Sequence, residues 1–422
     1  MTDQITTADL RPEIDFDQHS PQHAAHAVET FRDYRGRCPV AWSRNYGGFW
    51  LLTAYKDVFT ALRDSKTFTS GRFENAEGKL DGGVAIPPLP YRLVPTETDL
   101  PEWEGPRMLL NRALSPTAVL AFRDRARNFT TLLIDRHVAS GRMDLVLDLA
   151  NPLPAIMTME LVGLPLEHWE KFAEPFHAYP SSRPGSPEHA RAIEGIEWIY
   201  GQLSDLANQR RAAPRDDLTS SILAAQRPEG RPYTHDEIVE LLVQVVAGGV
   251  DTTTSLTANA FWHLHTCHDD RRRLIEDPSL FKPATEEFLR FYTPIQNEGR
   301  TASRDCSIGG QDIAAGERVL LSLASANRDQ TEFEDADRFV IDRQHNLHAA
   351  FGLGMHRCVG SHFARMLFEI MLFAVLDRIP DYEVIEAGAE RYPVISAVNG
   401  WATMPVRFTP GAAKGADLTL PC

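Results

Sequence analysis

The chain has 422 residues, 43% hydrophobic and 24% charged, which supplies a large buried core and excludes a disordered chain, a collagen or a coiled-coil rod. Its 58 acidic against 43 basic side chains leave a net charge of −15. That balance argues against diffuse neutralisation of nucleic-acid phosphates, and leaves room for a local basic patch that docks an acidic protein. The N-terminal MTDQITTADLRPEIDFDQHS has no basic region followed by an apolar run, so no secretory signal is read there. No stretch approaches the ~20 apolar residues of a membrane helix. LLVQVVAGGV (241–250) and MLFEIMLFAVL (366–376) come nearest and read as buried helices. A cytoplasmic protein is expected. The five cysteines, Cys38, Cys267, Cys306, Cys358 and Cys422, form no CxxC or CxxCH. A disulfide framework, a zinc ribbon and covalent c-type haem attachment are therefore excluded.

In chain order, helical periodicity marks 21–36, 54–64, 115–139, 150–162, 167–178, 187–211, 235–267, 283–292 and 360–378. Strand-like pieces fall at 48–53, 306–308, 311–313, 317–323 and 404–408, with GlyGly at the turn of the hairpin-like run CSIGGQDIAAGERVLLSL. The fold class is thus mainly α with small β-sheets. Residues 71–106 read as an irregular, proline-rich segment, long enough to suggest function. YPSSRPGSPEH (179–189) separates two helical patterns. With no repeat and no linker, one domain over 21–410 is expected, with an N-terminal extension (1–20) and a C-terminal tail (411–422).

The helix at 235–267 opens on Thr234 and Glu237 at capping-box spacing. As one element it would run roughly 50 Å. Its centre, AGGVDTTT (247–254), carries two glycines that cost ~1 kcal/mol each against alanine, then three β-branched threonines. Such a centre either packs closely on a neighbour or bends around a site. Further on, HLHTCHD (263–269) places His263 and Cys267 four apart, with His265 and His268 beside them. No second ligand pair lies at a suitable spacing, so the segment reads as a polar helix end.

FGLGMHRCVG (351–360) places Cys358 in a glycine-punctuated loop just before an apolar helix. Gly352, Gly354 and Gly360 let a flat ligand approach the backbone. Amides at the helix start stabilise a thiolate, and His356 and Arg357 add donors for an anionic ligand.

These residues resemble the haem-binding loop of the cytochrome P-450 superfamily, FxxGxxxCxG, with Phe351, Gly354, Cys358 and Gly360 in register. Other pieces follow in the right order. Glu287 and Arg290 in EEFLR are similar to the family's ExxR pair, AGGVDTT to the oxygen-binding kink of its long central helix, ADRFVIDR (336–343) to its meander, and DLPEWEGPR (99–107) to its haem-contacting helix start. The resemblance spans about residues 20–410 and is nearest to bacterial members of the camphor-hydroxylase type. It implies the family's fold, with haem b between the central helix and the cysteine loop.

By the same resemblance Cys358 is the metal ligand, a thiolate that favours O–O cleavage, and Phe351 packs near the sulfur. Arg107, Arg300 and His356 hold the haem propionates. Trp103 stands where many relatives carry a propionate-contacting histidine, and it keeps one indole donor. Gly248, with Gly249, leaves space for oxygen. Asp251 and Thr252 form the acid–alcohol pair: a hydroxyl positions water and a carboxyl relays protons. The threonine hydroxyls also suit back-bonding to carbonyls four residues earlier. Glu287 and Arg290 are structural, with Arg338 or Arg343 as a third member.

Residues 71–98, 176–190, 294–299 and 395–398 are implied to enclose the substrate. Tyr91, Ile295, Gln296 and Val398 are named as contacts, in a lining that suits a medium-sized apolar small molecule bearing one or two oxygen functions. The function implied is oxygen insertion from O2, with NAD(P)H electrons arriving through a reductase and a ferredoxin or flavodoxin, in a monomer. Arg107, Arg112, Arg357 and Arg365 form the expected docking face. The alternative is a non-hydroxylating haem-thiolate oxidation such as ring coupling, rearrangement or peroxygenation.

Overall fold

Two strands far apart in sequence frame the β part of the computed structural model, which describes residues 11–75, 78 and 80–418. Phe49–Leu52 (FWLL) and Arg318–Ser322 (RVLLS) pair in parallel, Trp50 opposite Val319 and Leu52 opposite Leu321. Both are continuous apolar runs, as strands covered on two faces require. The chain between them carries most of the helical body, the long crossover that a parallel pair demands. The mixed six-stranded sheet runs Glu13–Ile14, Val40–Ser43, Phe49–Leu52, Arg318–Ser322, Asn297–Ala302, Phe68–Thr69. Asn297–Ala302 escaped the sequence reading because NEGRTA has no apolar alternation; it is buried by pairing along both edges. The expected hairpin forms, with Gly309 and Gly310 both at positive φ (55° and 77°) in its turn. The first ten residues of the expected N-terminal extension, and residues 419–422 of the tail with Cys422, lie outside the described residues.

The helices follow the predicted periods with two corrections. The run expected over 115–139 is two helices, Pro116–Leu120 and Arg123–Asp135. The long helix expected over 235–267 is also two, His235–Gly249 and Asp251–Thr266, broken at Val250 (φ −88°, ψ −72°). Glu104–Ala113, Leu218–Ala224 and His268–Glu276 are additional helices. Thr234 and Glu237 form the reciprocal capping box that starts the first central helix. At its other end Gly249 lies so close to Pro152–Val162 that a Cβ there would collide with the Thr158 side chain. Thr252 Oγ1 donates to the Gly248 carbonyl at 3.0 Å, and Thr254 Oγ1 to those of Val250 (3.1 Å) and Ala150 (2.8 Å). Close packing and bending thus occur together, with hydroxyls capping the carbonyls that the break frees. No helix among the described residues is long and apolar enough to cross a membrane.

Asp251–Thr266 is buried along most of its length and packs on Ser361–Arg378 and Phe281–Tyr292. Phe281–Tyr292 carries the ExxR pair. Glu287 and Arg290 are both 0% exposed and joined by two 2.8 Å bonds. The Glu287 carboxylate also accepts from Val340 N–H (2.8 Å), Arg343 Nε (3.0 Å) and Asn346 Nδ2 (3.2 Å). Arg290 donates to the carbonyls of Asn327, Ala336 and Arg338. The third side chain is therefore Arg343. Arg338 supplies only its carbonyl, while its guanidinium pairs at the surface with Asp335.

Glu287→Gln puts an amide N–H₂ among these donors and leaves buried guanidinium charge unpaired, at a cost of about 3–5 kcal/mol. Folded yield and haem retention, read from the Soret-to-280 nm absorbance ratio, are expected to fall sharply, while any haem-replete fraction keeps the wild-type ranking of spectral ligands.

Candidate functional site

The cysteine loop is closed by a 2.7 Å bond from the Cys358 N–H to the Phe351 carbonyl. Gly354 sits at φ +66°, and a Cβ there would lie 2.8 Å from the Leu62 carbonyl, so conformation and space both demand glycine. Solvent reaches the Cys358 side chain, yet the protein crowded around it pushes the thiol up. The Gly360 amide, Arg107, Arg357 and Arg365 oppose that rise and favour thiolate. Gly360 lies beside the sulfur, just before Ser361–Arg378.

Phe351 lies under the Arg365 guanidinium at 4.5 Å. Arg365 donates twice to Glu286, each bond 2.6 Å, and His348 meets the same carboxylate at 3.0 Å. Burial pushes the Glu286 carboxyl up, but Arg365 and His348 outweigh it and hold it down at about 2. Sequence reading missed this anchor. Its only signal was a second glutamate beside Glu287.

Two of the buried donors that find no partner among the described residues belong to residues expected near a haem propionate. Trp103 Nε1 is one, and Nη2 of Arg300, a residue 1% exposed, is the other. Nη1 of Arg300 is bound to the Gly299 carbonyl (2.7 Å) and lies 3.3 Å from Glu298. Arg107 and His356 are already engaged. Arg107 Nη2 donates to the Arg357 carbonyl at 2.6 Å, and its Nε to Asn111. His356 Nε2 meets Ser70 Oγ (3.0 Å) and Asp99 (3.4 Å), with its ring edge-on to Trp103.

On the central helix Gly248 is exposed and Thr252 half-buried among buried neighbours. Asp251, 3% exposed, is held by His177 and by Tyr392, partners with no signal in the sequence. Ile295 and Val398 bridge as a short antiparallel contact. The Gln296 amide is spent on the Tyr292 and Thr293 carbonyls rather than left free for a ligand, while Asn297 Oδ1 is buried with no partner among the described residues. Tyr91 faces Tyr179 and Tyr200 across 6.3 and 6.2 Å.

The segment expected to be irregular contains a small sheet, Arg72–Glu74 on Leu80–Gly82, and a buried ion pair, Arg72–Glu97, at 2.9 Å with side chains 1% and 0% exposed. Arg72 also donates to the Leu89 and Tyr91 carbonyls, and Glu97 accepts from Val84 and Leu93 N–H. His263 has both ring nitrogens engaged, by Tyr292 and Asp270 at 2.9 Å each, so Asp270 and Cys267 beside it complete a packed helix end.

A thiol just before a helix start, an exposed glycine at the break of the central helix, and the donors of Trp103 and Arg300 unpartnered among the described residues fit a flat, iron-bearing dianion. The family model described as "Cytochrome P450" matches residues 170–380. A steroid C26-monooxygenase of Mycolicibacterium smegmatis is 31% identical over 417 residues, covering 98% of this chain and 99% of that one. Linalool 8-monooxygenase of Pseudomonas putida is 30% identical over 388 residues, covering 89% and 93%. Among solved structures, a cytochrome P450 of Mycobacterium marinum in complex with pseudoionone superposes with a TM-score of 0.85 at 26% identity, over 94% of this chain and all of that one. The chain belongs to the cytochrome P-450 family, oxidoreductases that use haem b and O2 with electrons from NAD(P)H through redox partners.

Proposed function

We propose that the chain inserts one oxygen atom from O2 into a medium-sized, mainly apolar small molecule of terpenoid, steroid or polyketide type. The observation that carries this reading is the pairing of a loop thiol, Cys358, with an acid and an alcohol, Asp251 and Thr252, on the weakened centre of a buried helix. A catalyst fed with peroxide has no need of that pair, which argues against a dedicated peroxygenase. Haem b, when bound, supplies oxygen activation, and a thiolate ligand favours O–O cleavage. Cys358 provides that ligand, with the Gly360 amide on its sulfur. Trp103 Nε1 and Arg300 Nη2 would hold the propionates, with Arg107 and His356 bracing the loop between them. Thr252 Oγ1 holds water and Asp251 passes protons to it.

The substrate class is supported by relatives named for a steroid, for linalool and for mycinamicin IV, and by the buried apolar side chains Ile86, Val94 and Val398 in the expected walls. For the electron donor we favour a small acidic protein, a ferredoxin or a flavodoxin. Arg357, in the cysteine loop, and Arg112, on Glu104–Ala113, are exposed in a chain of net charge −15. Arg365, expected on that face, is committed to Glu286 and is excluded from it.

Cys358→His is expected to abolish the thiolate-type carbonyl difference spectrum and turnover while haem still binds; a retained thiolate spectrum would refute the ligand. Thr252→Ala is expected to keep reductant and oxygen consumption but to lower product per reductant by up to about 100-fold, the lower end of what a positioned proton donor contributes. Hydrogen peroxide should account for the difference. The measurement counts NAD(P)H, peroxide and product together, with reconstituted partners and a substrate found by spectral screening. Unchanged coupling would remove Thr252 from the role.

A further inference from the structure

The acid of the central helix is paired with a histidine. Asp251 Oδ1 lies 2.5 Å from Nδ1 of His177, on Trp169–Ser181, and accepts from the Tyr392 hydroxyl at 2.8 Å. On the far side of the ring, His177 Nε2 meets the amide oxygen of Asn151. Each ring nitrogen therefore faces an oxygen. A neutral imidazole has one N–H and one bare nitrogen, so it cannot donate to both. The contacts close when the ring carries two protons, or when the second proton sits on the Asp251 carboxyl and points back at Nδ1. Reversing the Asn151 amide satisfies Nε2 but leaves the Nδ1–Asp251 link as it was.

Solvent access separates the two partners. The His177 side chain is 12% exposed and that of Asp251 is 4%. The second carboxylate oxygen, Asp251 Oδ2, is buried and unpartnered among the described residues. The groups that reach the pair come from three further places: Tyr392 near the C-terminal strands, Asn151 before Pro152–Val162, and Thr252 next along the central helix. Burial, with Asp251 adding to it, pushes the Tyr392 phenol well above its ordinary range, so Tyr392 stays a donor and anchors the carboxylate.

We propose that His177 supplies the protons that Asp251 passes to the Thr252 side. This rests on the oxygen-inserting reading above. In each pass the N–H bond at His177 Nδ1 breaks and an O–H bond forms on Asp251, leaving both groups neutral. The Asp251 carboxyl then releases its proton toward Thr252, becoming carboxylate again. Solvent reprotonates His177, so one proton crosses and no charge accumulates. A histidine suits the task because it gains and loses charge between about pH 5 and 8, whereas arginine at the same place holds its protons.

The test compares His177→Gln, His177→Arg and Asp251→Asn with wild-type holoenzyme. In the reduced, carbonmonoxy form, nitrogen-15 imidazole spectra are expected to show a strongly downfield His177 Nδ1–H resonance that moves upfield in Asp251→Asn. A His177 ring unaffected by Asp251→Asn overturns the pairing, whether or not the His177 variants fold. His177→Arg is expected to keep haem content and the thiolate-type carbonyl spectrum, but to slow product formation at least tenfold. It should also change the shape of the pH–rate profile and enlarge the solvent deuterium isotope effect. Wild-type turnover with an unchanged profile in His177→Arg would leave His177 a mere counter-charge and overturn the proposal. Absence of the thiolate spectrum in wild type would instead strike the haem-thiolate reading.

Discussion

Glu287 has no contact with solvent, and a carboxylate so placed, if unpaired, would cost several kcal/mol. Donors from Arg290, Val340, Arg343 and Asn346 converge on it. They come from its own helix and from separate turns of the meander, so the charge is satisfied only when those turns sit in register. Asn346 lies five residues before Phe351, whose carbonyl closes the cysteine loop on Cys358 N–H. The adjacent Glu286 acts on the other side of the cysteine, fixing Arg365 of Ser361–Arg378 over the Phe351 ring. Neighbouring glutamates on one helix thus hold the chain before and after Cys358, and the position of the sulfur follows from both.

The opposite face of the site is built the other way, by weakening a helix. Gly249 permits contact with Thr158, Val250 leaves the ladder, and the hydroxyls of Thr252 and Thr254 take up carbonyls that the break exposes. The break also sets Asp251 at the start of a second helix, where a negative charge is favoured by the helix dipole.

Much of this was legible in the sequence, for local reasons. The capping box, the GlyGly hairpin and helices such as Pro21–Arg37 and Ser361–Arg378 depend on residues a few positions apart. The ExxR pair and the cysteine loop are short motifs. What escaped depends on distance along the chain. Asn297–Ala302 is a strand because of its two neighbours, and nothing in NEGRTA announces it. Arg72 finds Glu97 across 25 residues, and Asp251 finds His177 and Tyr392 across 74 and 141. Gln296 was expected to face a substrate, but its amide is turned onto the Tyr292 and Thr293 carbonyls.

The Arg72–Glu97 pair ties together the long segment that joins Phe68–Thr69 to Glu104–Ala113. A loop of this length with no internal ties would sample many shapes, and each ordered residue would cost roughly 1–2 kcal/mol of backbone entropy. Here one buried guanidinium and one buried carboxylate bind Leu89, Tyr91, Val84 and Leu93 through their backbones. Those ties are blind to side-chain identity at the positions they hold. The pair thus holds the backbone of residues 84–93, while Ile86 anchors the same stretch through its side chain in the core beside Phe16 and Phe49. A frame held by backbone hydrogen bonds around one ion pair fixes the course of this segment, as Glu286 and Glu287 fix the chain on either side of Cys358.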